Sequence, residues 1–166
     1  MRSLCPGRRH GKIFPSRIPV NAAVLVTCGF LVLVFGHTGS VEAQTAPLTV
    51  SQGVYSVAQA ERGRQVFEKQ CAACHGGSLS GSDVNPPLAG SRFIAGWKGQ
   101  PLSALVTRIR TTMPPERPGS ITAAQSVDVV AYILRANRFP EGSRELPIAS
   151  AGLRSIRLDQ PPSVRK

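Results

Sequence analysis

Two cysteines three positions apart with a histidine directly after them constrain this chain more than anything else in it: Cys71-Ala72-Ala73-Cys74-His75. From the chain's own composition, such a run would arise by chance with a frequency of about 0.002. The rest of the sequence sharpens the constraint through scarcity, holding four cysteines and two methionines in all. Several of these fall in the first 43 residues. Residues 1–19 carry Arg2, Arg8, Arg9, Lys12 and Arg17 and no acid, the run Val20 to Gly36 is apolar, and small polar residues lead to Val41-Glu42-Ala43. That order of basic, apolar and small-residue regions is the pattern of a secretory signal peptide cut after Ala43. The alternative is an uncleaved membrane anchor, for which the run is short and interrupted by Thr27, Cys28 and Gly29. Cys28 makes a poor lipoprotein cysteine, because it lies inside the apolar run. Without residues 1–43, the chain keeps only Cys71 and Cys74, one histidine (His75) and one methionine (Met113).

C-x-x-C-H is the attachment signature of a c-type haem. Two thiols on one helical turn can each add to one of the porphyrin's two vinyl groups, and the next residue then sits where an imidazole nitrogen reaches the iron. Two other uses of paired cysteines fit less well. A thioredoxin-like dithiol belongs in a βαβ setting, which these surroundings do not offer. A structural zinc needs four ligands, and the chain from Gln44 onward has three cysteines and histidines together.

The pattern around the motif is helical, with one long loop. Ser56 and Gln59 read as a capping box opening a first helix, along which Ala60, Gly63, Phe67 and Cys71 share a face. Residues 76–91, rich in Gly, Ser and Pro, read as loop. A second helix starts near Pro101, with Leu102, Leu105, Val106 and Ile109 on one side. Pro114, Pro115 and Pro118 forbid helix from Thr111 to Gly119. Thr122 and Gln125 form a second capping box, opening a helix with Val129, Val130, Ile133 and Leu134 apolar and ending near Asn137. The expected organisation is a signal peptide over 1–43, an N-terminal linker over 44–55, a domain over 56–146, and a basic, proline-containing, poorly ordered tail over 147–166. At 166 residues the chain has room for one small domain.

Gly63-x-x-x-Phe67-x-x-x-Cys71-x-x-Cys74-His75 resembles the first helix and haem motif of class I, single-haem c-type cytochromes. Asn85-Pro86-Pro87-Leu88 is similar to the family's Pro-x-Leu loop, and the resemblance implies that the Pro86 carbonyl accepts the second N–H of the ligand histidine. Thr112-Met113-Pro114 resembles the loop bearing the distal methionine. Val129-x-x-Tyr132 is similar to the last helix, which in this family crosses the first at the glycine. The segment MPPERPGS and the later RANRFP further resemble bacterial periplasmic cytochromes that accompany quinoprotein dehydrogenases. The implied fold is all-α, three main helices around one covalently bound haem. The implied ligand set is haem c with iron, attached through Cys71 and Cys74, with His75 and Met113 as axial ligands.

Plainer readings stand beside these. Met113 could fill a core gap. Trp97 could donate to a haem propionate or be satisfied elsewhere, Arg108 and Arg110 could pair with propionates or form an exposed basic helix end, and Phe67 and Tyr132 read as core. The resulting expectation is a periplasmic one-electron carrier without catalytic residues, shuttling electrons between a dehydrogenase and a terminal acceptor. An open-site haem enzyme would need a distal acid–base group, and no second histidine follows Gln44. A non-catalytic subunit of a larger oxidase or dehydrogenase is the third reading. Omitting the five basic residues and one acid of 1–43 leaves 15 Lys+Arg and 8 Asp+Glu, a net +7. Two haem propionates would bring this to about +5, which suits a monomer that docks on an acidic surface of a redox partner. No nucleic-acid partner is expected, and no membrane span if the leader is cleaved.

Overall fold

The computed structural model describes residues 47–162. The expected signal peptide lies outside them. The described chain runs β1 (Leu48–Thr49), a 3-10 turn (Val50–Gln52), α1 (Val57–Gln70), α2 (Ala72–His75), α3 (Ser91–Trp97), α4 (Leu102–Thr112), α5 (Ala123–Ala136), α6 (Ser150–Arg154) and β2 (Ile156–Arg157). The fold is helical, as the periodicities predict. None of the described helices is long and apolar enough to cross a membrane.

Packing centres on α1 against α5. A side chain at Gly63 would overlap the backbone carbonyl of Asp128, so only glycine lets the helices approach this closely. One turn further on, Phe67 meets Tyr132 with ring centroids 5.3 Å apart and planes tilted by 52°. Phe67, Ala60, Val129, Val130, Ile133 and Leu134 are all buried there. Both helix starts sit where the sequence places them. Thr122 and Gln125 make both arms of a capping box at α5. At α1 only one arm forms: Ser56 accepts from the Gln59 amide. The Gln59 side chain instead turns inward, donating to the Leu146 carbonyl and accepting from the Leu146 amide.

That grip introduces the main departure from the sequence reading. Residues 44–55 do not form a free linker over their described part, nor 147–162 a poorly ordered tail. β1 and β2 pair in parallel, Leu48 with Ile156 and Thr49 with Arg157. Val50, Tyr55, Leu153, Ile156 and Leu158 are buried. The Tyr55 hydroxyl donates to the Phe139 carbonyl at 2.6 Å. Leu158 exchanges backbone hydrogen bonds with the α3–α4 connection, accepting from Gly99 and donating to Gln100. Prolines and arginines make the C-terminal stretch look unstructured, but α6, which carries Leu153, packs against α4, and Ile156 pairs with Leu48. The second departure is α3, which lies between the loop of 76–91 and the helix expected from Pro101, where the sequence reading assigns no element. It is a short helix flanked by glycines, with Phe93 and Ile94 buried beneath it.

Candidate functional site

The site begins where α1 stops. Cys71 caps α1, its amide donating to the Phe67 carbonyl, and its own carbonyl then accepts from Cys74 and His75. This opens α2, the single turn that carries the second cysteine and the histidine. The chain next loops out and returns over the histidine. Leu79 lies in the left-handed region (φ 61°) and is held there because its carbonyl accepts from both Leu88 and Ala89. Gly81 packs directly on the backbone of Asn85, Pro86 and Pro87, where a Cβ would have no room, and its amide donates to the His75 carbonyl.

The loop thereby delivers an acceptor to the histidine. His75 Nδ1 lies 2.9 Å from the Pro86 carbonyl oxygen. A carbonyl can only accept, so Nδ1 carries the proton and the lone pair of the neutral ring is on Nε2, the nitrogen left for a metal. His75 is buried.

Beside it lies a cleft of about 590 Å³, within the size range of small-molecule and cofactor sites. Cys71, Cys74, His75, Pro86 and Met113 all line it, so the structure brings together every site residue expected from the sequence. Its walls are the apolar faces of α4 (Leu105, Ile109) and α5 (Val129, Ile133), with Leu88 and Trp97. Met113 caps α4, its amide donating to the Ile109 carbonyl, and Pro114 and Pro115 continue the wall. Trp97 sits 6.3 Å from Phe93, ring centroid to ring centroid. Of the two arginines considered, Arg108 lines the cleft and Arg110 does not. Lys69, Glu116 and Arg117 complete the rim; Arg117 and Glu116 went unnoticed in the sequence because they sit in a proline-rich loop with no periodicity to place them.

Burial, and secondarily the neighbouring Cys74, push the Cys71 thiol up to about 11. That is the wrong direction for a nucleophilic dithiol, which needs a stabilised thiolate. Among the described residues, no three His, Cys, Asp or Glu side chains group as a metal cluster would require. What remains is a wide apolar slot with two thiols at one edge, a neutral imidazole of fixed tautomer and a thioether. Hard cations want oxygen ligands, whereas a flat apolar macrocycle carrying iron takes imidazole and thioether, so the residues fit a haem.

Residues 58–133 match the family described as cytochrome c oxidase, cbb3-type, subunit III. They form a monohaem c-type cytochrome domain. Its chemistry is haem-based electron transfer, and haem c with iron is its cofactor. Among solved structures, the chain is similar to the sulfane dehydrogenase SoxCD from Paracoccus pantotrophus at 26% identity and a TM-score of 0.41. The match covers 59% of this chain and 53% of that one, so it spans about half of the matched chain's length. No curated protein matches the sequence.

Proposed function

We propose that this cytochrome domain is an exported one-electron carrier, with haem c attached through Cys71 and Cys74 and His75 and Met113 as axial ligands. The observation that carries this reading is the 2.9 Å hydrogen bond from His75 Nδ1 to Pro86, in a cleft that Met113 also lines. Haem bound there would supply a metal that gains and loses a single electron. The chain's own residues do the rest. Pro86 fixes the plane of the imidazole and raises its basicity. Leu105, Ile109, Val129 and Ile133 exclude water from the macrocycle's faces. The Met113 sulfur, presented by the end of α4 and stiffened by Pro114 and Pro115, would be the second protein atom to hold the iron, and a thioether there would favour the reduced metal. With both residues holding it, the iron would have no place for oxygen or peroxide, which suits a carrier and disables an enzyme.

The leader pattern and the need for covalent haem attachment both favour the periplasm or an equivalent space outside the plasma membrane. Lys69, Arg108 and Arg117 at the rim favour brief docking on an acidic patch of a dehydrogenase or terminal oxidase. A second reading, a redox subunit held inside a larger oxidase, draws on the description of the matched family.

Met113→Ala is the decisive test. It should lower the reduction potential, abolish the weak red absorbance of sulfur–iron charge transfer and let carbon monoxide bind, while the haem stays attached. An unchanged spectrum and potential would mean that another group, such as Lys69, holds the sixth position, and the carrier reading would lose its main support.

A further inference from the structure

Asn137 follows the last turn of α5 and is buried. As a helix cap, it would need only one side-chain bond, and it makes that one: Nδ2 donates to the Ile133 carbonyl at 2.8 Å. Its other two bonds reach back almost fifty residues. Nδ2 also donates to the Leu88 carbonyl, and Oδ1 accepts from the Gly90 amide, each at 2.9 Å. Only one orientation of the amide satisfies all three partners. Donating at Leu88 and accepting at Gly90, Asn137 grips the chain as a neighbouring β-strand would, on both sides of Ala89.

What it grips is the end of the histidine loop. Leu88 is thus held at both polar groups, its amide by the Leu79 carbonyl and its carbonyl by Asn137. Pro86 and Pro87 precede it, each with φ fixed by its ring. Few torsions remain between the clamped Leu88 and the Pro86 carbonyl, so a shift of the first moves the second. We infer that Asn137 is a positioning residue for the axial ligand: it holds the Pro86 carbonyl against His75 Nδ1 and so ties the basicity of the imidazole to the end of α5. This rests on the reading of His75 as an iron ligand.

The molecule supplies its own control. Gln59 grips the backbone of Leu146 in the same two-pronged way and is equally buried, but Leu146 belongs to the C-terminal segment rather than the histidine loop. The experiment compares N137A and Q59A as haem-loaded proteins. Proton NMR of the reduced state reads the exchange of the His75 Nδ1 proton with D2O, and electrochemistry reads the potential. N137A should speed that exchange and raise the potential, because a less basic imidazole stabilises the oxidised metal less. Q59A should lower the denaturation midpoint and leave both readouts at the wild-type value. Should N137A fail to take up haem, N137S, whose single hydroxyl cannot bridge both Leu88 and Gly90, carries the same comparison. Wild-type values for the Asn137 variant, or equal changes in both variants, would overturn the inference while leaving His75 as ligand. A wild-type protein whose His75 ring protons lack the ring-current shift of an axial ligand would overturn both.

Discussion

The helix crossing and the cleft share α5, yet they handle charge in opposite ways. Around the crossing, acids and bases are matched. Arg62 bonds Asp128 and Glu145, Arg64 bonds Glu61 and Glu68, and Arg135 bonds Glu141 and approaches Glu61. At the cleft, Lys69, Arg108 and Arg117 make no ion pair among the described residues. One face has settled its electrostatics internally; the other leaves them open to whatever approaches. The contrast teaches that the rim's charge does little for the fold and is free to serve encounter.

Substitutions at the two faces should therefore separate stability from function. Gly63→Ala should have the largest effect, costing about 3 kcal/mol or more, because the neighbour that must yield is the Asp128 backbone. A denaturant midpoint close to wild type would mean the crossing is looser than the structure has it.

The belt of terminal segments belongs with the crossing, and Tyr55 reports on it. Burial, with Glu141 nearby, pushes its phenol up to about 12 from an ordinary 10. A raised pKa means the folded state holds its proton longer than the unfolded one. The associated stability is complete below pH 10 and is lost as the pH climbs toward 12. Phenolate absorbance should show one tyrosine titrating late, together with unfolding; titration of that tyrosine near pH 10 would show the belt to be loosely attached.

On the cleft side, the double replacement of Lys69 and Arg108 by Gln should slow association with an acidic redox partner several-fold at low salt and flatten its salt dependence, with the denaturation midpoint almost unmoved. Stopped-flow rates across a salt series decide it, and a rate indifferent to both salt and substitution would refute electrostatic docking. The smallest effect belongs to Arg62→Ala. Arg62 itself is half-exposed, so its pairs should be worth less than about 1 kcal/mol, and the potential should not change. A large potential shift there would erase the division between the two faces.

The site was more legible in the sequence than the fold around it, and the reason lies in distance along the chain. Cys71, Cys74 and His75 act through one turn of helix, so five consecutive residues carry their geometry. Gly63 and Tyr132 could be matched because an amphipathic helix repeats its face every few residues. Leu153, Ile156 and Leu158 have no such repeat. They are buried by partners far off along the chain, Ile156 beside Leu48 and Leu158 beside Gly99 and Gln100, and no local pattern sets them apart from a loose tail. Asn137 escaped notice for a related reason: an asparagine ending a helix is ordinary until the loop it holds is seen. The short helix α3 was hidden by the glycines on either side of it.

The belt also bears on the order in which the molecule assembles. Ser51 and Asp159, which it joins, are 108 residues apart. Bringing such distant segments together from an open chain is slow and entropically costly. Once α1 and α5 have crossed at Gly63 and Asp128, however, the path left to close shrinks to less than half that length. Fastening the ends then becomes a late and cheap event, conditional on the crossing. A lesion at Gly63 would accordingly be felt at both ends of the domain as well as between the helices.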